Sequence, residues 1–193
     1  MVKLSLSKLV KKQVQKPNPI REIMKMADKE NIIKMGLKPE EIISFAGGWV
    51  DHFAPPELID EYIHICKGNF HKTGAYSPTS GMSEIKKAIA KYEEKIFGIK
   101  EIKEKNIIIG QSSTQLTHDL LKTLLDPKDK ILLFDPTYAN YIGQVEYAVP
   151  TTKILRLKAL SKEWEYLPST EKLNEIFEKY KPKLLLLTSP DNP

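Results

Sequence analysis

The sequence has 193 residues, of which 41% are hydrophobic and 28% charged; these are ordinary values for a globular protein of one domain or slightly more. Its net charge is +5, but lysines alternate with glutamates and there are two arginines, Arg21 and Arg156, so the composition argues against a nucleic-acid-binding protein. A single cysteine, Cys66, excludes an internal disulfide framework, and no apolar run is long enough to span a bilayer, so the sequence predicts a cytoplasmic protein. The Lys/Glu/Ile-rich composition fits a thermophile.

The first hundred residues carry helical patterns. Residues 1–18 form a basic tail with little pattern, and helical spacing of apolar residues begins at Ile20. An extended piece ends in the pair Gly47-Gly48, and amphipathic helices are predicted from near Pro56 and from Gly81. Cys66 lies on the apolar face of the first of these two helices and is predicted to be in the core.

From residue 106 onward, short apolar runs alternate with helical patterns. Helices are predicted near residues 113–125, 138–148 and 170–180. Strands are predicted at Ile107–Ile109, Ile131–Phe134, Ile154–Leu155 and Leu184–Leu187, the last as a fully buried strand. The alternation predicts an α/β fold with a mostly parallel sheet and helices on both faces, that is, three layers.

In a parallel sheet, the loops that follow the strands meet at one edge, where such sheets bind ligands. Three of these loops carry chemically useful residues: 110–114, 135–138 and 189–193. Because residues 189–193 follow an apolar strand without its crossover helix, we expect the chain to be the front portion of a larger protein.

Each of the three loops allows two interpretations. Ser112, Ser113 and Thr114 at a helix N-terminus form either a phosphate site or an ordinary helix cap. Tyr138 is either a ring that stacks on a planar ligand or a core tyrosine, and Asn192 is either a neutral polar clamp or a turn residue. Together they predict a pocket for a flat, phosphorylated ring. The glycine patterns of Rossmann and Walker-type nucleotide sites do not occur in the sequence.

The order and spacing of six short stretches resemble one family, that of the fold type I, class I aminotransferases that depend on pyridoxal phosphate. The resemblance is to their N-terminal half and is nearest to the branch of 2-aminoadipate and kynurenine aminotransferases. It implies the large cofactor-binding domain of these enzymes, incomplete in this chain, a homodimer, and an amino acid and a 2-oxo acid as substrates. The stretches are 19–23, 43–48, 76–81, 112–115, 135–138 and 192–193.

The resemblance also implies roles for single residues at the cofactor. Ser113 and Thr114 match the positions that bind its phosphate, and Tyr138 matches the ring that stacks on its pyridine. Asn192 matches the residue that binds its 3-hydroxyl oxygen. Tyr76 matches a tyrosine that reaches the phosphate bound by the neighbouring subunit.

Two further roles concern the substrate. Gly47 and Gly48 match the glycine pair that lines the substrate carboxylate, where an absent side chain lets the backbone approach a ligand. Arg21 matches an arginine that meets the substrate's side chain in the aminoadipate branch. The four histidines show no pattern for a metal site or a nucleophile, and no metal is predicted.

The same resemblance implies a division into domains and an incomplete active site. Residues 1–45 correspond to an N-terminal arm and helix of the small domain, and residues 46–193 to the front of the large domain. The Schiff-base lysine lies beyond Pro193 in the family, so this chain contains no catalytic residue and is expected to be inactive alone. Two alternatives remain: a carbon–sulfur lyase of the same fold, and a non-catalytic aminotransferase-like partner or regulator.

Overall fold

The computed structural model describes residues 5–15, 19–45, 52–68, 74–160 and 168–189. It divides into two compact units, one formed by residues 1–48 with 117–193 and the other by residues 49–116. These bounds differ from those of the predicted domains, which refer to a complete enzyme. The domain division therefore stays a prediction.

Short helices open the first unit. Helix α1 was missed in the sequence, where residues 1–18 show little pattern; it is capped by Ser7, whose Oγ accepts a hydrogen bond from the backbone N–H of Val10 (3.2 Å). Helix α2 confirms the helical spacing that begins at Ile20. The bounds are α1 Lys8–Val14, α2 Pro19–Met26, α3 Lys29–Lys34 and a 3₁₀ helix Pro39–Glu41.

The second unit holds both predicted amphipathic helices and the first residues of a third, α6. The apolar face of α4 is exposed, with Tyr62 at 69% of its full accessibility. The prediction that Cys66 lies in the core is wrong, because it is exposed on this helix; helical spacing reveals an apolar face but not whether anything covers it. The bounds are α4 Pro56–Gly68, α5 Ser83–Phe97, a 3₁₀ helix Glu104–Asn106 and α6 Ser113–Leu124.

A parallel sheet lies in the first unit. Its strand order is β2-β1-β3, and β1 pairs in parallel with both neighbours, in the registers Ile131↔Ile154 and Ile131↔Leu184. Helix α7 connects β1 to β2, and α8 precedes β3. The bounds are β1 Lys130–Asp135, α7 Asn140–Ala148, β2 Lys153–Lys158, α8 Thr170–Tyr180 and β3 Leu184–Leu186.

Helices cover both faces of this sheet. On one face, Ile131 and Leu133 of β1 pack with α6 and α7 side chains, including Leu121 and Val145. On the other, Leu132 and Phe134 pack with Leu157, Ala159 and the partly buried apolar residues of α8. Successive strand residues point to opposite faces, so an uninterrupted apolar run is what a doubly covered strand requires. The predicted three-layer α/β fold is confirmed.

Two strand predictions need correction. Ile107–Ile109 forms no strand, because no segment among the described residues pairs with it; Ile109 N–H instead donates to the carbonyl of Ser80 (3.2 Å). Leu184–Leu187 is not fully buried, because β3 lies at the edge of the three-stranded sheet and leaves Leu185 39% exposed. In both cases the prediction depended on a neighbouring strand, and the local sequence does not show whether such a strand is present.

Within the described ranges, the helices are all too short or too polar to cross a membrane.

Gly81 allows a direct test of the packing in the second unit. Its φ is +96°, and a Cβ built there would lie 2.6 Å from Cβ of Ile109. Gly98, which ends α5, has φ +70° and nothing within 4 Å of such a Cβ. We expect Gly81→Ala to lower the free energy of unfolding by about 2–4 kcal/mol, from backbone strain plus overlap with a β-branched neighbour.

Gly98→Ala is the matched control, because it adds the backbone strain without the overlap. We expect it to cost about 1 kcal/mol. Urea unfolding of both variants measures the two values. Equal losses would show that the approach of Ile109 to Gly81 contributes nothing.

The amino end of the sheet carries an exposed charge cluster with a defined pH dependence. Lys183 Nζ lies 2.8 Å from Asp129 Oδ2 and 3.2 Å from Asp126 Oδ2. The hydrogen bond from Lys183 lowers the pKa of Asp129, and the bonds to Asp129 and Asp126 raise the pKa of Lys183. The cluster therefore stabilises the fold above the unfolded pKa of aspartate, about 4, and below that of lysine, about 10.4.

We expect Lys183→Gln to cause a small drop in Tm between about pH 5 and 9. The difference from the wild type should vanish as the pH falls through the folded-state pKa of Asp129, because the protonated carboxyl no longer attracts the lysine. Lys153→Gln, at an exposed lysine that starts β2, is the control. A Lys183→Gln effect that stays constant from pH 2 to 9 would contradict this account.

Candidate functional site

The loop after β1 starts from a fixed position. Its first residue, Asp135, ends the strand, and its carbonyl accepts a hydrogen bond from Ala159 N–H (3.0 Å) beyond β2. Its carboxylate lies 2.9 Å from Nη2 of Arg156 on β2. The Asp135–Pro136 peptide bond is cis. The neighbouring strand thus holds both the backbone and the side chain at the base of the loop that leads to Tyr138.

Tyr138 is half-buried at the carboxyl edge of the sheet. Its hydroxyl oxygen accepts a hydrogen bond from Nδ2 of Asn140 (2.6 Å). Its ring and the ring of Tyr141 form a T-shaped pair, with centroids 5.2 Å apart and an interplanar angle of 87°. The hydroxyl is therefore satisfied and the ring is held in place, as both interpretations of this tyrosine require.

The loop after β3 reaches the same edge. Oγ1 of Thr188 donates a hydrogen bond to Oη of Tyr141 (2.9 Å), which joins this loop to the helix that follows β1. Thr188, which precedes the third loop, therefore lies beside α7 at this edge, and the predicted meeting of loops 135–138 and 189–193 stays a prediction. Asn192 lies outside the described residues.

The N-terminus of α6 is built by Ser112 and Gln115. Ser112 Oγ accepts a hydrogen bond from Gln115 N–H (3.2 Å), and Gln115 Oε1 accepts one from Gln111 N–H (2.7 Å). Ser113 and Thr114 form the first turn and are exposed. The first N–H groups of a helix have no acceptor inside it and, with the helix dipole, favour an anion. This loop follows no strand, contrary to the prediction.

The turn around Tyr76 lies in the second unit. The Tyr76 side chain projects fully into solvent, at 106% of the reference exposure. The turn itself is fixed, because Gly81 N–H donates to the Pro78 carbonyl (2.8 Å). Lys86, a buried lysine of α5, donates from Nζ to Ser80 Oγ (3.0 Å).

The remaining predicted site residues are not brought together. Arg21 lies on the exposed side of α2, where Nη1 is 3.8 Å from Sδ of Met24. Gly47 and Gly48 lie outside the described residues. Within the described ranges, His, Cys, Asp and Glu side chains form no group that could hold a metal ion.

The sequence patterns did not single out four residues that support this site: Tyr141, Thr188, Asn140 and Arg156. One signal was available: Tyr141 follows Tyr138 by three residues, so one helical turn brings the two rings onto one side. The contacts of Thr188 with Tyr141 and of Arg156 with Asp135 join distant parts of the chain. No local sequence pattern predicts these two contacts.

Comparisons with known proteins agree on one family. The family described as "Aminotransferase class I and II" matches residues 40–193. An aspartate aminotransferase of Thermotoga maritima is 27% identical over 176 residues, which cover 91% of this chain and 44% of that protein. An asparagine–oxo-acid transaminase of Streptococcus mutans is 29% identical over 153 residues, which cover 79% of this chain and 37% of that protein. The chain thus spans less than half the length of these relatives.

Solved structures agree with the fold. A double mutant of the Thermus thermophilus aspartate aminotransferase matches 99% of this chain with 46% of its own, at a TM-score of 0.80 and 20% identity. An amino transferase of Eubacterium rectale also matches 99% of this chain with 46% of its own, at a TM-score of 0.82 and 16% identity. At such identities the likeness establishes the fold.

Proposed function

This chain belongs to the family of class I and II aminotransferases, and we propose that the complete protein moves an amino group from an amino acid to a 2-oxo acid. The observation that carries the proposal is the family match, which covers residues 40–193. Proteins of this family use pyridoxal phosphate. The activity is proposed for the complete protein, because this chain covers 44% of its Thermotoga relative.

The N-terminus of α6 fits the cofactor's phosphate. A Cβ on Gly110 would lie 2.7 Å from Cδ2 of Leu116, so the backbone turns tightly into the helix. Ser113 and Thr114 are exposed at the positive end of a 12-residue helix. Backbone N–H groups and hydroxyls at such a position are suitable donors for a phosphate, and we assign them that role.

The carboxyl edge of β1 fits the cofactor's ring. Tyr138 supplies an aromatic surface, and its hydroxyl is already satisfied by Asn140, so the ring can stack on a planar ligand without leaving a polar group unpaired. Asn192 is the proposed partner of the 3-hydroxyl oxygen. A neutral amide can both donate and accept there without adding charge.

These residues orient the cofactor, which supplies the electron sink when it is bound. In this proposal Ser113 and Thr114 bind the cofactor's phosphate, and Tyr138 stacks on its ring. We propose that Gly47 and Gly48 admit the substrate carboxylate close to the backbone. None of these groups carries a proton in the reaction, so the chain's contribution is binding and orientation.

We further propose a homodimer in the cytoplasm as the working form, with Tyr76 reaching a phosphate held by the second subunit. Its full exposure in the single chain supports that assignment. The proposed substrate branch is that of the 2-aminoadipate and kynurenine aminotransferases, with Arg21 meeting the substrate's side chain. The relatives named above act on aspartate and asparagine, so a direct comparison of donors is needed.

The phosphate role of α6 is tested at Ser113, the first residue of the helix. Proline is favoured at this position, so Ser113→Pro removes one N–H group and the hydroxyl while keeping the helix. Ser113→Ala removes the hydroxyl alone. We expect the proline variant of the full-length protein to bind pyridoxal phosphate at least about tenfold more weakly, because a hydrogen bond to a charged group contributes about 1.5–3 kcal/mol.

Pyridoxal without the phosphate is the control ligand, and its affinity should be the same in both variants. Fluorescence titration gives the dissociation constants, and a thermal melt confirms that the helix is retained. Equal weakening for both ligands would show that Ser113 does not face the phosphate.

The substrate proposal is tested at Arg21 in the full-length protein, with 2-oxoglutarate as acceptor. We expect Arg21→Ala to raise KM for 2-aminoadipate about tenfold or more, because a charge-assisted hydrogen bond is lost. Lys25→Ala on the same helix is the control and should leave KM unchanged. Faster transfer from aspartate than from 2-aminoadipate would overturn the branch assignment. Release of pyruvate and ammonia without an acceptor would favour the lyase.

A further inference from the structure

A side-chain hydrogen bond joins the loop after β3 to α7, the helix that follows β1, and it lies beside the proposed stacking ring. Thr188 Oγ1 and Tyr141 Oη are 2.9 Å apart, although the two residues are 47 positions apart in the sequence. Both side chains are half-buried. A half-buried hydrogen bond between this loop and α7 restricts the motion of both segments relative to the sheet.

Tyr141 also fixes Tyr138. The two rings meet edge-to-face with centroids 5.2 Å apart, an arrangement that their quadrupoles favour. The backbone N–H of Tyr141 donates to the carbonyl of Tyr138 (3.1 Å), so main chain and ring are both in contact. Tyr141 also packs against the core cluster that includes Leu133 and Val145. Because Tyr141 contacts both the core and Tyr138, it restricts the motion of the Tyr138 ring relative to the core.

We propose that Tyr141 is a positioning residue for the cofactor: it sets the plane of the Tyr138 ring and, through Thr188, ties the start of the loop after β3 to the same point. This inference rests on the proposed function, since the ligand it concerns is pyridoxal phosphate. Tyr141 acts through Tyr138 and Thr188. The hydrogen bond between Thr188 and Tyr141 thus couples the start of the loop after β3 to the helix that contacts Tyr138.

A double-mutant cycle in the full-length protein tests the coupling. Tyr141→Phe and Thr188→Val each remove one hydroxyl and keep the shape of the side chain, and the double variant removes both. We expect each single variant to bind pyridoxal phosphate about five- to tenfold more weakly, in line with one lost hydrogen bond. The double variant should be no weaker than either single variant, because the same bond is lost in all three.

Thr188→Ser is the matched control, because it keeps the hydroxyl and should keep the wild-type affinity. Additive losses in the double variant would overturn the proposal, as would unchanged affinity in the single variants. So would a fall in the urea midpoint without a change in affinity, since a purely structural bond gives that pattern. A wild-type protein that fails to bind pyridoxal phosphate would instead overturn the proposed function.

Discussion

Strand β1 is the constraint on which the rest of the first unit depends. Its residues Ile131, Leu132 and Leu133 are fully buried, since helices cover both faces and parallel strands pair along both edges. Full burial of each such side chain contributes about 1.5–3 kcal/mol. A strand held on four sides has one possible register, so the position and direction of its last residue, Asp135, are fixed with it.

The candidate site depends on that fixed end. The Asp135 carbonyl accepts a hydrogen bond from Ala159 N–H, and its carboxylate pairs with Arg156, so the short stretch to Tyr138 leaves the sheet from a defined position. Tyr141 then ties Tyr138 back to the core, and Thr188 brings in the loop after β3. Chemistry placed on loops becomes precise when a packed scaffold and local contacts remove their freedom in this way.

Much of the scaffold could be predicted because its signals are local. The continuous apolar run Ile131–Phe134 and the helical spacing over 170–180 each report a single element and its burial. The wrong predictions concern segments whose burial or pairing depends on neighbouring elements of the fold. Ile107–Ile109 lacks a pairing strand among the described residues, and nothing in the sequence places Leu185 at a sheet edge or leaves Cys66 uncovered.

The candidate site was predictable only in part, for a related reason. Tyr138 could be singled out because it follows a predicted strand, and the cap at Ser112 because serine before a helical pattern is a strong signal. The supporting contacts of Thr188 and Arg156 could not, because they join residues that only the fold brings together. The roles of Ser113 and Asn192 stay predictions.

The central claim is that the loops after β1 and β3 grip pyridoxal phosphate together at the carboxyl edge of the sheet. Amide hydrogen–deuterium exchange of the full-length protein, with and without the cofactor, tests it most directly. The account predicts that slowed exchange appears together in peptides spanning 135–141 and 187–192, while peptides at the amino end, spanning 126–130, are unchanged. Protection confined to the amino end, or to one of the two loops, would contradict it.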